Sequence, residues 1–246
     1  MSKPAATQVA IIRLDRSAKG NALSAALVDE LAGKLQSALA DPAVHTIAFT
    51  GAGRNFCTGF DLSDLDETSD AELLQRFIRV EQLLDAVWQS PVRTVALAQG
   101  RTWGAGADLF AACDSRLATS DAEFRFPGAG FGLVLGTRRL AQRVGRDEAR
   151  RLTCNGGLLS SGSALAAGLV SALVPDAADE TLLSHIQAPA ADRATVAALR
   201  AATLAGDSDA DLAALVRSAA RPGLKERIIN YRDRRASAVA MAATST

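Results

Sequence analysis

From Ile47 to Leu62 the chain reads Ile-Ala-Phe-Thr-Gly-Ala-Gly-Arg-Asn-Phe-Cys-Thr-Gly-Phe-Asp-Leu. The apolar start ends at Thr50, and a loop holding three glycines follows before the chain turns polar, the pattern of a strand that delivers a loop to one edge of a core. Glycine lets main-chain amides turn outward and approach a ligand closely, so the N–H of Phe60, just after Gly59, is able to face a bound oxygen. A second loop of this kind follows the buried-strand pattern Val95 to Ala98: Gln99 to Gly106 turns away from it, and Ala105 to Cys113 reads as a helix of small residues. Amides near Ala105 then sit at a positive helix end. Two loops with one free amide each suit a single oxyanion. Taken by itself, the pattern suits two ordinary tight turns better.

Around these loops the chain alternates strand and helix. Gln8 to Leu14 reads as a strand, Ser24 as the cap of a helix carrying Leu27, Val28, Leu31, Leu35 and Leu39, and Val44 to Thr50 as the next strand, with Asp41-Pro42 between. Such a unit favours a parallel sheet. Ser69 with Glu72 predicts a capping box at the start of a long helix that Pro91 ends, and Val92 to Ala98 and Ser115 to Thr119 predict further strands. Phe124 to Gly132 reads as a third, aromatic and glycine-rich loop leading to a basic segment. Leu158 to Ala167 reads as a turn and short helix, and Leu169 to Val174 as a strand stopped by Pro175. From Asp176 onwards Ala, Leu, Asp and Arg recur in helical patterns, a tail that must pack on the core or on a neighbour. The expected division is a core over residues 1–188 and a C-terminal helical region over 189–246.

Composition mainly excludes. Across 246 residues Lys plus Arg equal Asp plus Glu at 27 each, which gives no electrostatic reason to expect nucleic acid or an acidic membrane surface. The first eight residues are polar and include Pro4, and no apolar run approaches a membrane-spanning length, so the expectation is a cytoplasmic protein. Cys57, Cys113 and Cys154 are odd in number and far apart, as suits reduced thiols. With only His45 and His185 besides, no metal site is expected. The loop at Gly51 lacks the third glycine of a dinucleotide fingerprint, and there is no phosphate-loop motif and no nucleophile elbow with a histidine partner.

Phe56-Cys57-Thr58-Gly59-Phe60-Asp61-Leu62 and Gly100 to Leu109, ending in Ala111-Ala112-Cys113-Asp114, resemble the two signature segments of the crotonase (enoyl-CoA hydratase/isomerase) superfamily. Leu14-Asp15-Arg16 with Gly20-Asn21-Ala22-Leu23-Ser24, and Ala166-Ala167-Gly168-Leu169-Val170, extend the resemblance over roughly residues 8 to 175. It implies an α/β fold, a crotonase-like spiral of ββα turns followed by a C-terminal helical region, in a homotrimer or a dimer of trimers. The implied partner is an acyl-CoA thioester, with no permanently bound cofactor and coenzyme A entering as part of the substrate. The implied oxyanion donors are the N–H groups of Phe60 and Ala105. The family usually has glycine at the second position, and alanine keeps the amide. Removing one such donor typically costs about 2.7–4 kcal/mol of transition-state stabilisation.

By the same resemblance Asp108 stands where family hydratases carry the first of two acidic residues, normally glutamate; as a first-turn residue it also suits the helix dipole. The second acid of those hydratases follows a proline, and here Pro127 is followed by Gly128, which transfers no proton. Standard two-carboxylate hydration would need Glu123 or Asp121 to swing in. What remains is Asp108 working alone in isomerisation, hydrolysis or decarboxylation, hydration with water as second proton carrier, or CoA-thioester binding without efficient turnover. The resemblance places the nucleotide near Lys19, Ala22 and Leu23 and near Asp61, Leu62 and Ser63, with Arg16 a further cation. Trp103 and Phe131 are expected at the acyl pocket, where their bulk favours a short or flat acyl group.

Overall fold

The computed structural model describes residues 8–204 and 206–244, with 238–244 as backbone only; the polar start with Pro4 lies outside the described residues except for Gln8. Strand β1 spans Gln8–Leu14, helix α1 Ala25–Ala40 and β2 Val44–Gly51. The Ser24 hydroxyl accepts the Leu27 N–H at 3.2 Å, and Leu27, Val28, Leu31 and Leu35 are buried, so the spacing that predicts this helix is the spacing that packs it. Helix α2 spans Asp70–Trp88, opened by the full Ser69–Glu72 capping box, and β3 spans Arg93–Ala98.

Beyond β3 the chain repeats strand, short strand, helix. β4 (Arg101–Trp103) leads into α3 (Ala105–Ala112), and β5 (Ser115–Thr119) is followed by β6 (Glu123–Arg125). A 3-10 turn over Gly128–Phe131 precedes α4 (Thr137–Val144) and α5 (Arg146–Asn155). β7 (Leu159–Ser160), α6 (Ser161–Ala166) and β8 (Ala172–Val174) complete this part. The tail forms α7 (Asp179–Ser184), α8 (Arg193–Thr203), α9 (Ser208–Ala219) and α10 (Leu224–Thr244).

The main sheet has the order β1-β2-β3-β5-β8 and every pairing in it is parallel. Its inner strands are buried almost without a break, as a sheet covered on both faces requires. A smaller sheet, β4-β6-β7, takes the short strands that follow the long ones. This corrects the reading of Gln99–Gly106 and Phe124–Gly132 as loops throughout: each region contains a short strand or its end. Three residues are too few to show a period of two, and their pairing partner lies some twenty residues away. Phe124, at the centre of β6, is fully buried, with its ring 4.9 Å from that of Phe110 in α3. The strand read over Leu169–Val174 is confined to its last three residues.

The tail packs on its own core. Leu215 and Ala219 of α9 and Leu224 and Ile228 of α10 form one apolar cluster with Leu65, Leu73, Phe77 and Leu133. This layer also encloses a charge pair. Arg139 of α4 and Glu81 of α2 are each 2% exposed at the side chain and joined by a short ion pair, with Asp211 of α9 3.5 Å from the guanidinium. Burial raises the Glu81 carboxyl and the Arg139 charge opposes that rise. Breaking a buried pair leaves one charge uncompensated, so Glu81→Ala is expected to cost about 3–5 kcal/mol in urea denaturation, and the double change Glu81→Leu with Arg139→Met to recover most of it. A loss below about 1 kcal/mol in the single variant would place this pair with weak surface ion pairs instead.

Candidate active site

The loop after β2 and the loop after β3 meet through their backbones. Cys57 N–H donates to Arg101 O at 3.2 Å and Trp103 N–H to Cys57 O at 2.9 Å, so the first loop runs as an added strand beside β4. Gly59 is where they touch: its φ is +101°, and a Cβ there would stand 2.8 Å from the Trp103 carbonyl oxygen. Neither the backbone angle nor the space admits another residue. Gly59 O accepts from Leu23 N–H at 2.7 Å and Asp61 N–H donates to Leu23 O at 3.1 Å, which ties down both peptide groups flanking Phe60.

Phe60 N–H itself has no acceptor among the described residues. Ala105 is the first residue of α3, so no preceding turn supplies its N–H with a carbonyl, while the neighbouring Gly104 N–H is spent on Arg125 O at 2.8 Å. The Phe60 and Ala105 amides, one on each loop, are thus both unengaged among the described residues, and the two residues line the same pocket. That pocket is mostly apolar and about 150 Å³ in volume.

Side chains clamp both loops. The buried Asn21 Nδ2 donates to Ala52 O, Asn55 O and Phe56 O at 2.9, 2.8 and 3.2 Å, and its Oδ1 accepts Arg16 N–H at 2.9 Å. One amide side chain therefore staples the first glycine loop to the loop after β1. The Phe60 ring stacks on Phe77 of α2 at 4.1 Å, with the Arg76 guanidinium 4.6 Å from its centre. An aromatic held in this way leaves its own peptide group little freedom to turn.

Asp108, in the first turn of α3, faces this pocket and is 6% exposed. It packs against Gly136 at the start of α4, where a Cβ would come within 2.7 Å of the carboxyl carbon. Burial pushes the Asp108 carboxyl well above the usual carboxylate range; the Arg139 charge pulls it part of the way back and the Glu81 charge raises it further.

Gly128 lies on the pocket wall after Pro127, and a Cβ there would meet only Leu133 O at 3.5 Å and Leu133 Cβ at 3.8 Å, ordinary contacts. Asp121 accepts the Thr119 hydroxyl at 2.5 Å, and Glu123 is held in β6; neither lines the pocket. Trp103, Phe131 and Leu62 do line it. Lys19, Ala22, Leu23, Asp61 and Ser63 stand outside it, around the loop after β1 and the segment after Phe60. Lys19 and Ser63 are exposed, whereas Ala22 and Leu23 are buried and have only backbone to offer. Arg16, considered as a phosphate contact, is instead engaged by Asp61 at 2.6 Å and Ala22 O at 3.1 Å. Cys57 and Cys113 are buried, which pushes both thiols up to about 12 and leaves them inert.

Sequence reasoning missed the pocket's other wall. Tyr231 and Arg235 of α10 reach it: the Tyr231 ring packs 5.2 Å from Phe131, and the Arg235 guanidinium lies 5.5 Å from the Trp103 ring. Tyr231 is the sole tyrosine of the chain, but nothing local says that its helix folds back over Gly128–Phe131.

Comparison with known proteins agrees with this architecture. The enoyl-CoA hydratase/isomerase family profile matches residues 5–242. A probable enoyl-CoA hydratase of Mycobacterium tuberculosis is 35% identical over 169 residues, covering 68% of this chain and 67% of that protein. The 2,3-dehydroadipyl-CoA hydratase of Escherichia coli is 31% identical over 176 residues, covering 68% and 66%. Among solved structures, an enoyl-CoA hydratase/isomerase family protein from Bordetella parapertussis superposes with a TM-score of 0.84 at 40% identity, covering 94% of this chain and 96% of that one. An enoyl-CoA hydratase from Mycobacterium avium subsp. paratuberculosis gives 0.75 at 28%, covering 93% of each. With the family profile matched over nearly the whole chain and these relatives and solved structures beside it, the chain belongs to the enoyl-CoA hydratase/isomerase family of enzymes, which act on acyl-CoA thioesters.

Proposed function

We propose that the chain binds an acyl-CoA thioester with its carbonyl oxygen between the N–H groups of Phe60 and Ala105, stabilises the enolate, and moves one proton with Asp108. The observation that carries this reading is that the unengaged amides of Phe60 and Ala105 lie on one apolar pocket together with the buried Asp108 carboxyl, whose burial disfavours its charged form. A thioester becomes acidic at its α carbon only as negative charge builds on the carbonyl oxygen. Fixed amides stabilise that charge with little reorganisation. Asp108 protonates or deprotonates the carbon skeleton, and the Arg139 charge offsets part of the cost of its ionised form.

Hydration is the activity in the relatives' names, and it calls for a second proton carrier. Gly128 cannot be one, so the reading is of isomerisation or α-proton exchange by one carboxyl, with water as the second carrier where hydration occurs. The second reading, a CoA-thioester-binding member without efficient turnover, is favoured by Gly128 alone. A cytoplasmic homotrimer or dimer of trimers, with the nucleotide along Lys19 and Ser63, belongs to the proposal. Among the described residues no helix is long and apolar enough to cross a membrane.

A panel of acyl-CoA esters in deuterated water tests the proposal. Exchange at the α carbon is expected, and Asp108→Asn is expected to slow it by about 10²–10⁴-fold, the usual contribution of a positioned acid or base. Binding with no exchange in the wild type would favour the second reading, and unchanged exchange in Asp108→Asn would remove Asp108 from the chemistry.

The same variant has a stability signature. The folded-state pKa of Asp108 lies above its unfolded value, so the unfolded chain loses this proton first and stability falls as pH rises from the unfolded pKa, about 3.9, through the folded value. Asp108→Asn is therefore expected to raise the melting temperature at mildly alkaline pH and to change it little in acid. A lower melting temperature in alkali would contradict the assigned direction.

Gly128→Glu has room for its Cβ and supplies the missing carboxyl. A gain of enoyl-CoA hydration is expected. No gain, with the variant folded, would mean that this wall does not face the reacting carbons.

A further inference from the structure

We propose that the acyl group this pocket takes carries a carboxylate of its own, held by the Arg235 guanidinium; this rests on the acyl-CoA reading above and names its substrate class. Apart from Asp108, Arg235 is the only charged side chain on the pocket wall among the described residues. It is half-buried, stacked 5.5 Å from the Trp103 ring and 5.9 Å from the Tyr231 ring, and its Nη1 is 3.5 Å from the Tyr231 hydroxyl.

Other arginines of this region are engaged: Arg227 and Arg234 of α10 donate to main-chain carbonyls, and three more have an anion beside them. Arg76 meets Asp64 at 2.9 Å, Arg138 meets Asp211 at 2.9 Å, and Arg232 of α10 itself meets Asp66 at 3.5 Å and Asp233 at 3.1 Å. Arg235 pairs with no carboxylate among the described residues. A guanidinium withdrawn from water against two aromatic faces keeps its planar donor edge for an acceptor that the protein does not provide.

Position decides which anion. Arg235 stacks on Trp103, two residues before Ala105, so it stands beside the second glycine loop, at the acyl end. Lys19 and Ser63, on the nucleotide side, do not line this pocket. The Tyr231 hydroxyl is a second donor next to the guanidinium. Its ring is closely fitted, since a Cβ on Gly130 would come within 2.7 Å of Tyr231 Cδ2. A short acyl chain that ends in a carboxylate meets the apolar wall with its methylenes and this pair with its end, whereas a plain alkyl end would leave the guanidinium unpaired.

Butyryl-CoA and succinyl-CoA match in chain length and differ by a terminal methyl against a carboxylate. Calorimetric titration of the full chain with free CoA, butyryl-CoA and succinyl-CoA is the test. The wild type is expected to bind succinyl-CoA about 10- to 100-fold more tightly than butyryl-CoA, as one charged hydrogen-bonded pair provides. Arg235→Met is expected to abolish that preference while holding butyryl-CoA as before, which also shows the variant folded, and Arg235→Lys to keep part of the preference. Equal affinity of the wild type for both esters would overturn the proposal and leave the acyl-CoA reading standing. Equal weakening of CoA and both esters in Arg235→Met would also overturn it, assigning Arg235 to a phosphate. Binding of neither ester would remove both readings.

Discussion

Two peptide N–H groups that the fold leaves without an acceptor are the constraint on which the rest depends. A buried amide without a partner costs free energy, so most folds avoid one, and two on one apolar wall need a structure rigid enough to keep both from turning inward. The means are visible in the neighbours. Leu23 occupies the peptide groups on both sides of Phe60, Gly104 N–H is spent on Arg125 O, and Asn21 fastens three carbonyls of the first loop. The amides of Phe60 and Ala105 are held at the pocket by these neighbouring bonds and have no acceptor of their own among the described residues.

The same wall sets the electrostatic surroundings of Asp108. Burial pushes the Asp108 carboxyl up, the Arg139 charge pulls it part of the way back, and Arg139 is itself anchored by Glu81 and Asp211. The charge pair that joins α2 to α4 is thus also the electrostatic background of the site. Gly128 lies on the same pocket wall, where an added Cβ would make only ordinary contacts with Leu133. The pocket wall therefore presents one carboxyl, the residues Phe60 and Ala105 with their unengaged amides and, through α10, one guanidinium.

Much of this was legible in the sequence because it is local. The glycine loops, the cap at Ser24, the Ser69–Glu72 box and the position of Asp108 one turn after Ala105 all depend on residues within four positions of one another. The long strands of the main sheet announced themselves by apolar runs, since both faces are covered. What stayed hidden depends on distant partners. β4 and β6 are three residues each and exist because they pair with one another; Arg16 looks like a free cation until Asp61, forty-five positions later, is seen to hold it. Tyr231 and Arg235 enter the site only because α10 folds back on the turn at Gly128–Phe131, a packing choice made by Leu224 and Ile228 against Leu65, Leu73 and Phe77. No short window of sequence contains that information.

The central claim is that the Phe60 and Ala105 amides polarise one thioester carbonyl, and the vibration of that carbonyl reports on it directly. Ala105 is the first residue of α3, a position where the helix backbone tolerates proline, so Ala105→Pro deletes the N–H, and circular dichroism checks that the buried site accepts the ring. Isotope-edited infrared difference spectroscopy of a bound acyl-CoA, labelled at the thioester carbonyl, should show the stretch displaced to lower frequency in the wild type. In the proline variant the displacement should be smaller, with α-proton exchange slower by about 10²–10³-fold. A carbonyl stretch at the same frequency bound and free, or one displaced equally in the two proteins, would contradict the account.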